Sequence, residues 1–398
     1  MNLLRPIIDR FFPPHQPLPA GVYHYQAPSD HPFPYRLHLR IEQDGHGVLV
    51  VNASTVVHLN ATACEYAYHL VKNTPEPQAI AEVARRYHVS KETVQRDYSD
   101  LVQRLKTLID TPDLDPISFL DFERSEPYSG ANSAPYRLDC ALTYQLPAQS
   151  PRPQAPEERV RRELTSEEWK VVLDKAWNAG VPHVIFTGGE PTLRGDLADL
   201  IRHGEALGMV TGLITDGTRL IDASYLQDLL QSGLDHLMIL VDPNNGNSWQ
   251  ALIAALAEDI AVIAHLTLNP SSIAKLSEII DRLVEMGVQT VSLSTDSLER
   301  KEELQTARQA VADRQIRLVW DLPVPYSEFH PVALEVAEEG DGTILQDGDA
   351  RAWLYIEPDG DVLPGQGAYE TVLGNLVSDP WQMIWENARV AVGSGEKL

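Results

Sequence analysis

The sequence predicts an α/β chain, a partial (β/α) barrel of parallel strands preceded by a small winged-helix-like domain. Three observations carry this. From Arg137 onward, short apolar runs rich in β-formers alternate with helix-period segments, one pair every roughly 25 to 35 residues. Residues 31–110 instead alternate apolar and polar in period two and then give three helical stretches, the order of a β-meander closed by helices. Finally, the strands of the second half end in polar residues, Thr187, Thr215, Asp242, Asn269 and Asp296, which a parallel sheet gathers at one carboxyl edge.

Composition narrows the function. A chain of 398 residues with 43% hydrophobic content holds two or three domains. The formal charge of -25 argues against nucleic acid as a partner, because phosphate contacts need a basic face. No apolar run approaches the ~20 residues that cross a bilayer, and Met1 to Arg10, with Asp9, lack a signal-peptide pattern. A cytoplasmic protein without a membrane partner is expected. There are two cysteines, Cys64 and Cys140, so neither a disulfide framework nor a metal centre held by three thiolates of one chain is expected.

Taken in order, residues 1–30 read as an irregular arm rich in proline, histidine and aromatics. Tyr35–Ile41, Val48–Val51 and Val56–Leu59 form the meander, and helices follow over Ala61–Val71, Ile80–Tyr87 and Lys91–Leu108, the last capped by Ser90. Residues 111–135 are a Pro-, Asp- and Ser-rich linker, with a domain boundary near residue 130. Strands are then expected at Arg137–Thr143, His183–Thr187, Val210–Thr215, His236–Val241, Ile260–Leu268 and Thr290–Ser294. The helices between them are Glu167–Gly180 (capped by Ser166), Leu193–Leu207, Tyr225–Ser232, Trp249–Leu256 and Ser272–Met286. This barrel spans residues 136–325. In the remainder, residues 326–398, Trp353–Pro364 reads as a β-hairpin over an Asp-Gly turn.

The stretch His183–Arg194 concentrates the site. An apolar strand stops at Thr187, Gly188 and Gly189, which let a ligand approach the backbone, and Glu190 and Pro191 follow at its carboxyl end. The candidate small-ligand set is Gly188, Gly189, Glu190, Pro191, Thr215, Asp216, Asp242 and Asn269. The acids Glu190, Asp216, Asp242 and Asp296 act as general acid and base if they converge. Of the histidines, His236 and His265 read as strand residues of the core or lumen, and His203 as solvated on a helix face.

Thr187-Gly188-Gly189-Glu190-Pro191-Thr192-Leu193 resembles the Gly-Gly-Glu-Pro motif of the radical S-adenosylmethionine (SAM) superfamily, where this segment follows the second barrel strand and binds the SAM amino group. Val57-His58-Leu59-Asn60-Ala61-Thr62-Ala63, Arg86-Tyr87 and the helix Val94–Leu105 resemble PqqD-like domains, which hold leader peptides of ribosomally made, modified peptides. That resemblance implies strand addition of a peptide along Val56, Val57, His58 and Leu59. A helix-turn-helix over Val89–Val94 is the rival, but 11 basic and 11 acidic residues in 1–110 leave this part neutral. Trp353–Pro364 and the tryptophans at 381 and 385 resemble the SPASM or "twitch" segment after such barrels, with Gly365 where that family commonly has a cysteine.

In the same family three cysteines after the first strand hold a four-iron cluster. Laid on that pattern, Leu146, Ser150 and Pro153 take their places, so no iron-sulfur cluster is expected. The expectation is therefore a radical-SAM-like pseudoenzyme, a non-radical peptide- or protein-binding scaffold or regulator linked to modified-peptide biosynthesis, with SAM as a candidate ligand. Its partner is a precursor leader peptide or a cluster-bearing relative. The alternative is an enzyme using SAM or another small ligand at the barrel mouth for polar chemistry.

Overall fold

The computed structural model describes residues 18–28, 31, 35–53, 55–111, 132–148, 156–319, 322–324 and 348–393. The chain divides into two compact units, Met1–Ser129 and Gly130–Leu398.

Unit 1 is a four-stranded antiparallel sheet in chain order, β1 (Gly21–Gln26), β2 (Arg36–Ile41), β3 (Gly47–Val51) and β4 (Thr55–Leu59). Three helices follow: α1 (Ala61–Val71), α2 (Glu76–Tyr87) and α3 (Lys91–Asp110). Strand β1 corrects the expected irregular arm. It pairs with β2 along its whole length, and Tyr23 meets the edge of Tyr68 at 4.9 Å. Its aromatics alternate, but flanking prolines hide the period. Leu37, Leu39, Leu49, Val57 and Leu59 pack against Ala67, Val83, Val94 and Leu105 to make the core. Each such fully buried aliphatic side chain contributes roughly 1.5–3 kcal/mol. Ser90 caps α3 as expected, its hydroxyl accepting the Thr93 amide.

Unit 2 is built on a ten-stranded sheet in the order β11-β10-β9-β8-β7-β6-β5-β12-β13-β14. Its strands are β5 (Arg137–Thr143), β6 (His183–Gly188), β7 (Val210–Thr215), β8 (His236–Leu240), β9 (Ala261–Leu268), β10 (Thr290–Thr295), β11 (Arg317–Val319), β12 (Trp353–Ile356), β13 (Asp361–Leu363) and β14 (Gly374–Asn375). From β11 through to β12 neighbours are parallel, and β12, β13 and β14 turn back antiparallel. Strand β12 joins β5 directly, so the C-terminal hairpin extends the barrel sheet. The Arg137 guanidinium lies over the Trp353 ring at 4.8 Å across that junction.

The helices are α4 (Ser166–Ala179), α5 (Leu197–Leu207), α6 (Ala223–Gln231), α7 (Gly246–Leu256), α8 (Pro270–Ala274), α9 (Leu276–Glu285), α10 (Lys301–Asp313) and α11 (Trp381–Gly393). Alternate strand residues, among them Leu138, Phe186, Leu213, Ile239 and Leu266, share one core with Trp169 and Leu200 of the helices. The opposite face carries Ile185, Ile214, Met238 and Ile263, a smaller inner cluster.

Three boundaries differ for local reasons. The cap of α4 is Thr165, because Glu168 returns a bond to its backbone and closes a capping box. The helix expected from Leu193 begins only at Leu197. Pro191–Leu193 is a 3-10 turn, held by the Glu190 carboxylate accepting the Thr192 amide. The helix expected over Ser272–Met286 is two helices, with Asn269 capping α8. No helix among the described residues is long and apolar enough to cross a membrane.

Candidate functional site at the carboxyl edge of the sheet

Gly188 and Gly189 are required, though what they admit is the chain's own backbone. A Cβ on Gly188 would stand 2.3 Å from the Thr143 carbonyl oxygen, and one on Gly189 2.2 Å from that of Gln145. The Gly189 amide donates to Thr143 O at 2.7 Å and the Glu190 amide to Gln145 O at 2.8 Å. The motif thus zips β6 onto the end of β5. Gly188 also has φ +111, which side chains rarely adopt.

Glu190 is 1% exposed and its carboxylate gathers four donors. Oε1 accepts the Thr192 amide at 3.2 Å, the Thr192 hydroxyl at 2.7 Å and the Thr215 hydroxyl at 2.7 Å. Oε2 accepts the Asp216 amide at 2.8 Å. The acid therefore fastens the loop after β6 to the loop after β7. Thr192, missed from the sequence set, is the other fixed point, since the Arg219 guanidinium donates to its carbonyl while stacking 4.0 Å over Tyr225. Only the 27-residue separation of Thr192 and Arg219 hid this link.

Of the predicted site residues, Gly188, Gly189, Glu190, Pro191, Thr215 and Asp216 come together here. Asp242 and Asn269 serve their own turns: Asp242 Oδ1 accepts the Asn244 amide, and Asn269 Oδ1 accepts those of Ser271 and Ser272. Asp296 pairs with Arg300 at 2.5 Å. His203 is half-buried and bonded to Asp174 at 2.8 Å, which corrects the solvated reading. The His236 Nε2 lies 2.8 Å from His183 Nε2, a contact made possible by Gly212. Burial, with help from Arg137, pushes the His236 imidazole down to about 4.

Beside β5, a polar-aromatic knot borders the same edge. Tyr144 donates to Glu357 Oε1 at 3.1 Å, and Arg159 grips both Glu357 oxygens at 3.0 and 2.9 Å while lying 4.5 Å from the Tyr369 ring. Burial drives the Tyr144 phenol far above its ordinary range.

In unit 1, Val56, Val57, His58 and Leu59 lie on β4, an outer strand of the sheet, paired only with β3 among the described strands. A cavity of about 330 Å³ opens beside it, lined by His58, Leu59, Ala63, Tyr66, Leu101 and Arg104 among others.

The thiols do not fit a cluster held by three thiolates of one loop. Cys140 is wholly buried in the outer core of unit 2, where burial pushes its thiol well up, and Cys64 is buried in unit 1 at about 12 for the same reason. Leu146 follows β5 without a donor atom, while Ser150 and Pro153 lie outside the described residues. Among the described residues no three His, Cys, Asp or Glu side chains are grouped to hold a metal ion.

Residues 140–245 match the family model described as "Radical SAM superfamily". The chain is 28% identical over 289 residues to the PqqA peptide cyclase of Streptomyces rochei, covering 65% of this chain and 78% of that one. It is 27% identical over 263 residues to the PqqA peptide cyclase of Rhizobium meliloti (strain 1021), covering 56% and 66%. In fold it resembles the crystal structure of Streptococcus suis SuiB bound to S-adenosylmethionine, with a TM-score of 0.56, 14% identity and coverage of 91% and 88%. SuiB bound to precursor peptide SuiA gives 0.54 at 13% identity, with coverage of 87% and 86%.

These relatives correct the expectation of a pseudoenzyme and scaffold that leaned away from enzyme activity. Homology to peptide cyclases over 65% and 56% of this chain points to an enzyme. The cysteine count speaks only for the donors of one cofactor.

Proposed function

We propose that this chain is a peptide-modifying enzyme that binds SAM at the carboxyl edge of its parallel sheet and grips its peptide substrate through unit 1. The observation that carries the reading is the Glu190 fastening. A carboxylate buried to 1% exposure and bound by four donors holds the Gly188–Pro191 lip and the Thr215–Asp216 turn in one fixed geometry. Fixed strand-end loops are what a small ligand at this edge needs, since ordering them on binding would cost affinity. Homology to PqqA peptide cyclases supports a peptide as substrate.

Unit 1 is read as PqqD-like. A precursor leader peptide adds as a strand along Val56–Leu59, and its side chains enter the cavity between β4 and α3. The hairpin β12–β13 is read as an accessory segment without its cysteines. Because the thiols do not fit the usual cluster, the reading assigns this chain substrate and SAM binding and names no redox step.

The test is direct. The purified chain is titrated with SAM by calorimetry, then incubated anaerobically with SAM and the short peptides encoded beside its gene, with and without a chemical reductant. A SAM-dependent mass change in one peptide is the expected result. Failure of the wild-type chain to bind SAM, or no mass change in any peptide it demonstrably binds, overturns the reading.

A further inference from the structure

The cavity of about 330 Å³ in unit 1 opens beside β4, whose outer edge is unpaired among the described strands, and its walls are of two kinds. The floor is apolar. Leu59, Tyr66 and Leu101 are buried there, and the Tyr66 ring meets the edge of Tyr98 at 5.7 Å. The rim is charged. Asp97, Asp100, Leu101 and Arg104 fall at i, i+3, i+4 and i+7 of α3, so they share the helix face turned to the cavity. Burial, and after it the charge of Asp97, raises the Tyr66 phenol, so the charged rim adjoins the floor.

The charges of the lining do not balance. Arg104 bonds Asp100 at 2.9 Å, and its guanidinium is already matched. Asp97 meets the Arg96 guanidinium at 3.2 Å, but Arg96 is 77% exposed and takes no part in the lining. So exposed a pair is screened and weak. Burial, with help from Arg40, lowers the His58 imidazole, which is therefore neutral at pH 7. Two carboxylates thus face the cavity against one cation, and Asp97 is the carboxylate whose pairing an incoming cation can improve.

We propose that this cavity selects peptides carrying a lysine or arginine two residues from an apolar side chain, with Asp97 reading the cation and Leu59, Tyr66 and Leu101 seating the apolar group. The proposal rests on the reading that a peptide adds as a strand along β4. Alternate residues of such a strand face the same side of the sheet as Val57 and Leu59, the side the helices cover. On α3 one turn, about 6 Å of rise, separates Asp97 from Leu101, close to the about 6.7 Å that two residues of a strand span. An acidic side chain in the same place would face Asp97 and Asp100, and the one guanidinium that could receive it is held by Asp100. Asp97 is the specificity-determining residue.

The experiment uses the full chain and ligand-observed NMR titrations with the hexapeptide acetyl-Ser-Lys-Thr-Leu-Thr-Ser-amide. Counterparts carry Gln or Glu in place of Lys, or Ser in place of Leu, and each is also made in reversed order because a strand adds in either direction. In one of the two orders, the Lys peptide is expected to bind roughly three- to tenfold more tightly than the Glu peptide at low salt, with the gap narrowing at high salt. Ser in place of Leu should weaken binding at least tenfold. Asp97→Asn should remove the advantage of Lys over Gln, and Asp97→Lys should make the Glu peptide the tighter one, an inversion that a merely structural Asp97 would not give. Equal binding of the Lys and Glu peptides overturns the proposal, as does a preference for Lys that survives Asp97→Lys. Amide hydrogen exchange separates this from the reading beneath it. Peptides that slow exchange over residues 55–59 without a charge preference overturn the proposal and leave strand addition standing, whereas peptides that leave that segment unprotected overturn both.

Discussion

The Thr215 hydroxyl donates to Glu190 Oε1 at 2.7 Å, so a residue at the end of β7 is bonded to the acid that follows β6. Glu190→Gln keeps the size of the side chain but turns one acceptor into a donor facing other donors. It should lower unfolding free energy by about 2–4 kcal/mol, as expected for a broken buried network. Thr215→Val, which loses one bond, should cost about 1–2 kcal/mol. Urea unfolding monitored by tryptophan fluorescence measures both, and a Glu190→Gln chain as stable as wild type would refute the fastening role. SAM affinity is expected to fall at least tenfold in Glu190→Ala, measured by calorimetry.

The two motif glycines should tolerate nothing larger. Gly189→Ala drives a methyl to 2.2 Å from the Gln145 carbonyl, and the zip between β5 and β6 must open to admit it. A loss of about 3 kcal/mol or more is expected, at the upper end for overpacking. Gly195, with nothing within 4 Å of its would-be Cβ, is the control, and Gly195→Ala should be neutral or slightly stabilising. Thermal melts of the two variants side by side check the contrast.

Acid should weaken unit 2 through His236. Its folded value, about 4, lies below the unfolded value near 6.5, so the unfolded chain binds the extra proton first. The stability contributed by neutral His236 is complete above about pH 6.5 and is lost as pH falls toward 4. The full loss is on the order of 3 kcal/mol. His236→Gln should flatten the slope of stability against pH across that window in chemical denaturation, and an unchanged slope would count against the assignment.

Lys175 ties the C-terminal segment to α4, its ammonium donating to the carbonyls of Leu376 and Asp379. Lys175→Met should cost about 1–3 kcal/mol and speed amide hydrogen exchange over residues 374–393 while β5 to β10 keep their protection. Uniform acceleration through the unit would mean that this contact does not fasten the segment locally.

What the sequence determined by itself was local and periodic. Alternating strands and helices from Arg137 to Thr295, the Ser90 cap and the glycine-rich stop of the strand before Glu190 all follow from neighbours within four or so residues, where apolar spacing and backbone preference decide the outcome. The absence of three thiolates near Leu146 was equally plain. Tertiary structure decided what those residues touch. Gly188 and Gly189 face a backbone some 45 positions earlier in the chain, Glu190 spends its carboxylate on Thr192, Thr215 and Asp216, and β12 joins β5 from more than 200 residues away. On the inner face of unit 2, His265, Thr267, Ser292 and Ser294 meet only through the β9–β10 register. A sequence fixes such partners through the packing of the whole unit, and no short-range pattern records them.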